Sequence, residues 1–147
     1  MSKSIFILNG PNLNLLGQRE PDIYGHTTLA DIEARCIVRA AALGHTVDFR
    51  QSNYEGALVE FVHDARLNGS AIIINPAGYT FTSVALMDAL KMFDGPKIEL
   101  HISNVHKREA VYHTSLMSAV VTGLVVGMGA YGYELAVDAV ANFLANA

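Results

Sequence analysis

Ala71-Ile-Ile-Ile-Asn-Pro76 decides the fold: four consecutive apolar residues that stop abruptly at an amide and a proline. A short apolar run without alternation is what a strand covered on both faces looks like, because side chains on either side of the pleat meet an apolar layer. Runs of similar length recur at Ser4 to Leu8, Thr46 to Phe49, Lys97 to Leu100 and Val120 to Val126. Between them, helical periodicity covers Thr28 to Leu43, Glu55 to Leu67, Ser83 to Met92 and Tyr131 to Leu144. Strands that alternate with helices are joined by right-handed crossovers, so the sheet is expected to be parallel.

The fold class read from this pattern is α/β, a flavodoxin-like three-layer sandwich with a five-stranded parallel sheet, expected as a single domain over 1–147. The chain carries no linker, internal repeat or low-complexity tract. In an open sheet of this kind a ligand sits beyond the carboxyl ends of the strands. The residues that fall there are polar: Asn9 and Asn12, Ser52 and Asn53, Asn75-Pro76, His101-Ile-Ser-Asn104, and the turn Gly127-Met-Gly129. The amide-rich stretch Asn9-Gly-Pro-Asn-Leu-Asn-Leu-Leu-Gly17 is not required by packing and marks a polar pocket at the end of the first strand.

Composition narrows the occupant of that pocket. A net charge of -4 with 10 Lys+Arg in 147 residues offers no basic stripe for a phosphate backbone, so a small metabolite is expected rather than nucleic acid. The first apolar run is too short for a signal-peptide core and no run approaches the ~20 residues of a membrane span, so a cytoplasmic protein is expected. Cys36, the single cysteine, excludes an internal disulfide and reads as a buried inert thiol. With 51% hydrophobic and 16% charged residues, the apolar content exceeds what one small core hides comfortably, and burial between subunits is expected.

Several side chains could carry chemistry. The connection Gln18-Arg-Glu-Pro-Asp-Ile-Tyr-Gly-His26 has the length of a lid and pairs a cation, Arg19, with a phenol, Tyr24. A free phenol has a pKa of about 10, and lowering it two units takes roughly 2.7 kcal/mol, within reach of one guanidinium in a partly dry site. Spacing alone fits two ordinary surface loop residues better than a catalytic pair. His101 follows Glu99 by two, which places both on one face of the fourth strand, as a carboxylate orienting an imidazole requires; a solvated strand-end histidine has the same spacing. Ile102 and Ser103 offer a backbone N–H and a hydroxyl to a carboxylate, or form a plain turn. His106 and His113 lack metal-ligand spacing with acidic partners. Gly127-Met-Gly-Ala-Tyr-Gly132 matches the dinucleotide fingerprint, but only 15 residues follow it, too few for the second strand and ribose-binding acid, so packing is its expected role.

Together these segments resemble the type II 3-dehydroquinate dehydratase family over nearly the whole chain. The resemblance rests on Asn9 to Gly17, Arg19-Glu-Pro-Asp-Ile-Tyr-Gly25, Gln51-Ser-Asn53, Asn75-Pro76, Tyr79, Thr82-Ser-Val-Ala85, Asp88, and Glu99-Leu-His-Ile-Ser-Asn104 followed by His106 and Arg108-Glu109, in this order. It implies trans-dehydration of 3-dehydroquinate to 3-dehydroshikimate through an enolate, without metal or cofactor, in biosynthesis or catabolism. By the same resemblance Tyr24 is the base, held as phenolate by Arg19. Asn12 places a water on the enolate oxygen, and Asn75 orients the substrate. His101, oriented by Glu99, is the acid, and Ile102 with Ser103 binds the carboxylate. A homo-oligomer, a dodecamer built from trimers, is implied, with Asp88 reaching a neighbour's site.

Two positions depart from the family pattern. Phe81 stands where a histidine contacts substrate hydroxyls, and Tyr112 where a second arginine is usual. Phe81 cannot hydrogen-bond, and Tyr112 is neutral. Each lost contact is worth about 1 to 3 kcal/mol, which leaves two alternatives to a full dehydratase: a paralogue dehydrating or enolising a less hydroxylated cyclic keto acid, or a non-catalytic binding module. A flavin site is disfavoured, because the first loop lacks the hydroxyl-rich phosphate cradle.

Overall fold

The computed structural model describes residues 2–18, 22 and 25–147. Five strands, β1 (Ser4–Asn9), β2 (Val47–Gln51), β3 (Gly69–Asn75), β4 (Lys97–His101) and β5 (Gly123–Val126), form one sheet in the order β2-β1-β3-β4-β5. Every pairing is parallel, and the order reverses between β1 and β3, as the flavodoxin-like reading requires.

Helices cover both faces. α1 (Leu29–Ala42) and α4 (Tyr131–Ala145) close one core around Ile5, Ile7, Ile73 and Leu100, while α2 (Glu55–Asn68) and α3 (Val84–Lys91) close the other around Phe6, Leu8, Ile72 and Ile74. Odd and even positions of β1 and β3 thus feed opposite cores, which is why these strands are continuously apolar. Local chemistry sets where the helices begin. Thr28 and Asp31 form a reciprocal capping box at α1, with backbone-to-side-chain bonds of 3.1 and 3.0 Å. Ser83 caps α3 by accepting from the Leu86 N–H at 2.9 Å and donates its own hydroxyl to Glu55 at the start of α2. Among the described residues no helix is long and apolar enough to cross a membrane.

Two differences from the expected boundaries bear on the site. The fifth strand begins at Gly123 instead of Val120, because Ile98 pairs with Gly123 and β4 starts only one residue earlier, leaving residues 120–121 outside the β4–β5 ladder. Val120 instead closes the preceding 3-10 turn, Met117–Ala119, by donating its N–H to the Met117 carbonyl at 2.9 Å. Conversely, β1, β3 and β4 run one residue further than their apolar cores, to Asn9, Asn75 and His101. The site's polar side chains therefore stand on ladder positions. The backbone ladder continues past them, with Ser52 N–H donating to the Asn9 carbonyl at 3.0 Å and Gly10 N–H to the Asn75 carbonyl at 2.8 Å.

Gly10 sits where the loops after β1 and β3 cross: a Cβ on it would lie 2.4 Å from the Pro76 carbonyl oxygen. The glycines of Gly127-Met-Gly-Ala-Tyr-Gly132 likewise serve packing. Gly127, at φ +83°, presses on Asn104, and a Cβ on Gly132 would come within 3.3 Å of Val125 where α4 leaves the sheet. Replacement of Gly10 by Ala forces backbone apart at this crossing. A loss of about 2 kcal/mol and a fall in Tm of about 4 to 8 °C are expected, read by thermal melting against the parent.

Candidate active site

At the carboxyl ends of β1, β3 and β4, beside the point where strand order reverses, lies a cavity of about 220 Å³. Pro11, Asn12 and Leu13 line it from the first loop, Asn75, Ala77, Gly78 and Phe81 from the second, and His101, Ile102, Ser103, Val105, Arg108 and Tyr112 from the third. Asn12, Asn75, His101, Ile102, Ser103, Phe81 and Tyr112, all picked out from the sequence, are thus brought together. Arg19 and Tyr24 lie outside the described residues. Asp88 does not line this cavity: it is exposed on α3, 3.7 Å from the Lys91 ammonium.

The acid candidate is tightly held. His101 is 6% exposed, and its Nε2 lies 2.6 Å from Glu99 Oε2. With Nε2 engaged, Nδ1 is the ring nitrogen left for exchange with a ligand. Glu99 is itself fully surrounded: Ser115 donates to Oε2 at 2.9 Å and Ser118 to Oε1 at 2.8 Å. Burial pushes the Glu99 carboxyl up, but the bonds from His101, Ser118 and Ser115 outweigh it and hold the group below the ordinary carboxylate range. Glu99 is therefore ionised at neutral pH, where it fixes the imidazole and would offset its charge in the protonated form.

The two strand-end amides are oriented by a residue that periodicity alone reads as core. Tyr133, buried on α4, donates from its hydroxyl to Asn9 Oδ1 at 2.7 Å and accepts from Asn75 Nδ2 at 3.1 Å. Asn9 in turn donates to the Arg50 carbonyl at 3.0 Å, and Asn75 Oδ1 accepts from the Ala77 N–H at 3.2 Å. These bonds leave one amide hydrogen of Asn75 for the cavity. Burial drives the Tyr133 hydroxyl well above its ordinary pKa, so it stays a neutral donor. Asn12 is fixed differently: its backbone is left-handed, at φ 72°, and its N–H donates to Asn53 Oδ1 at 2.9 Å. Asn53 is steadied by Gln51 Nε2 at 3.1 Å and, through its carbonyl, by the Tyr79 hydroxyl at 3.0 Å. The end of β2 thus contributes by bracing, and the Gly127 turn after β5 does not line the cavity.

Sequence reasoning missed Tyr133, Ser115 and Ser118. The pair of serines three apart after a polar loop was a usable signal; nothing in the apolar stripe of α4 distinguished the Tyr133 hydroxyl. His113 donates from Nε2 to the Arg108 carbonyl at 2.6 Å, a structural contact, and His106 is exposed. Cys36 is fully buried and its thiol is pushed up to about 12, first by burial and then by Glu134 and Glu33, which makes it inert as a nucleophile.

Comparisons with known proteins agree with one another. A sequence model described as dehydroquinase class II matches residues 3–141. The chain is 57% identical over 145 residues to a 3-dehydroquinate dehydratase of Cereibacter sphaeroides, covering 99% of both chains. It is 59% identical over 138 residues to a 3-dehydroquinate dehydratase of Streptomyces coelicolor, covering 93% of this chain and 88% of the relative. The crystal structure of a type II dehydroquinase from Propionibacterium acnes superposes with a TM-score of 0.92 at 45% identity, over 97% of this chain and 98% of that one.

Two outcomes follow from the buried polar groups. Tyr133→Phe leaves the Asn9 and Asn75 amides short of a partner, and denaturant titration is expected to give an unfolding free energy lower by about 1 to 3 kcal/mol. Because the folded-state carboxyl of Glu99 lies below its unfolded value, it contributes stability above the ordinary carboxylate range and loses it as pH falls through the folded value. Glu99→Gln should therefore show a shallower decline of Tm on acidification below about pH 4 than the parent, followed by melting across a pH series.

Proposed function

Because the chain belongs to the class II dehydroquinase family, we propose that this cavity dehydrates 3-dehydroquinate to 3-dehydroshikimate, by trans elimination of water through an enolate. The observation that carries the reading is His101, locked by Glu99 at 2.6 Å, facing the same 220 Å³ cavity as Asn12 and Asn75. Elimination beside a ketone needs a base, a stabiliser for the enolate oxygen, and an acid for the departing hydroxyl.

In this reading the Tyr24 phenolate, charge-balanced by Arg19, takes the C2 proton, and the C–H electrons move onto the ketone oxygen. Asn12, whose backbone cannot rotate away from Asn53, holds a water against that oxygen, and the inward amide hydrogen of Asn75 aligns the substrate. The enolate then collapses to form the C1–C2 double bond. The C1–O bond breaks, and His101 Nδ1 delivers a proton so that the hydroxyl leaves as water. Glu99 remains ionised throughout and keeps the ring from turning. The Ile102 backbone and Ser103 hold the carboxylate at the end of β4. No step calls for a metal or a cofactor.

A switch to a less hydroxylated substrate, which Phe81 and Tyr112 raise, is not favoured, given 57% identity across 99% of both chains to a 3-dehydroquinate dehydratase. A non-catalytic binding module is disfavoured on the same ground. The oligomer is proposed to be a dodecamer of trimers in which Asp88 completes a neighbouring site. Exposed large apolar residues such as Val38, Leu67 and Val111 support burial between subunits, and Asp88 stands exposed on α3.

Adding purified protein to 3-dehydroquinate should produce the ultraviolet absorbance of a conjugated enone. Tyr24→Phe and His101→Ala should each lower kcat by about 10² to 10⁴-fold. A folded parent protein that shows no turnover would overturn the reading.

A further inference from the structure

We infer that Phe81 and Tyr112 form one aromatic brace: Phe81, held edge to face by Tyr112, lies along the His101 ring and sets the direction in which that imidazole faces the cavity. Phe81 is thus a positioning residue for the acid. The identity of the reaction it serves rests on the dehydratase reading.

The two positions that depart from the family pattern are in contact, so they act as one change. Phe81 ends the 3-10 turn Ala77–Phe81 that follows β3, and Tyr112 ends the turn Ala110–Tyr112 that follows β4. Their rings meet at 5.4 Å and 76°, and Phe81 stacks on His101 at 6.2 Å and 26°. Both separations fall in the range over which aromatic pairs attract. Both turns are fastened, so the rings are presented from fixed backbone. Thr80, beside Phe81, is fully buried and its carbonyl accepts from the Leu116 N–H at 2.9 Å, while Ser83, two residues on, caps α3. The Tyr112 N–H donates to the Glu109 carbonyl at 2.9 Å.

The acid needs such a brace because one hydrogen bond does not fix a ring. Glu99 engages Nε2 at 2.6 Å and so opposes a flip of the imidazole. A hydrogen bond nevertheless keeps most of its strength over a tilt of about 30°. Proton delivery from Nδ1 is more exacting, since a misplacement of about 1 Å can cost ~10²-fold in rate. A ring alongside the imidazole limits the tilt on its side. Phenylalanine does this without a donor or acceptor of its own, and so leaves Nδ1 to the ligand, whereas a polar side chain at 81 would compete for it.

The test uses the full-length protein with Phe81→Leu and Phe81→Met, which remove the ring, Phe81→Tyr, which keeps it, and Tyr112→Leu alone and combined with Phe81→Leu. Phe81 and Tyr112 are half-buried, and two ringless variants guard against one that fails to fold. Two readouts are taken: kcat and KM on 3-dehydroquinate, and the His101 Cε1–H resonance without substrate in protein carrying 13C-histidine, assigned by its loss in His101→Ala. Phe81→Leu and Phe81→Met should lower kcat by about tenfold with KM moved less than about threefold, and should shift the resonance as the ring current is lost. Phe81→Tyr should retain most of kcat and hold the resonance near its place. Tyr112→Leu should cost kcat about 2- to 10-fold more in the parent than in the Phe81→Leu background. The Arg108 guanidinium over the Tyr112 ring is disturbed in both backgrounds and drops out of that difference. A resonance unmoved by loss of the ring, equal losses in Phe81→Tyr and Phe81→Leu, a change confined to KM, or equal effects of Tyr112→Leu in the two backgrounds would each overturn the brace. A parent without turnover whose His101 resonance answers to Phe81 and Tyr112 in this way would overturn the dehydratase reading and leave the brace standing.

Discussion

A single buried hydroxyl ties the site to the fold. Tyr133 reaches from α4 to the paired ends of β1 and β3, donating a hydrogen bond to Asn9 and accepting one from Asn75. Asn9 and Asn75 are opposite one another in the parallel register, so the bridge spans the strand pair at which the sheet order reverses. An amide buried without partners is costly, and each bond here meets that demand while choosing which way the amide faces. Because Asn9 also donates to the Arg50 carbonyl, the orientation propagates from edge strand β2 through β1 to Asn75 on the cavity wall. The α4 packing, the sheet register and the direction of one Asn75 hydrogen are therefore one constraint.

Glu99 presents the same logic with a charge. A carboxylate this deep is tolerated because the His101 ring and two serine hydroxyls surround it, and those bonds overcome the burial that would otherwise protonate it. The serines come from the segment that leads into β5 and that turns at Met117–Ala119. Ser115 also accepts from the backbone N–H groups of Met117 and Ser118, so the turn and the carboxylate share a hub.

On the third side of the cavity the chain replaces polarity with aromatic surface. Phe81 packs edge to face on Tyr112 and stacks on His101, and the Arg108 guanidinium lies over the Tyr112 ring.

Much of this was legible in residue order alone. Unbroken apolar runs ending in amides and alternating with helical segments point to a parallel sheet covered on both faces, and the two-residue spacing of Glu99 and His101 on a strand gives them a shared face. The motifs from Asn9 to Arg108 carried the family. What residue order could not state is which polar atoms meet across the chain. Tyr133 and Asn9 are 124 positions apart, and Ser118 and Glu99 are 19. Hydrogen bonds act over about 3 Å of space and have no periodicity along the chain. Only the closed tertiary structure decided that a tyrosine in an apolar stripe orients the site, that two loop serines hold its carboxylate, and that an aromatic substitution faces an arginine.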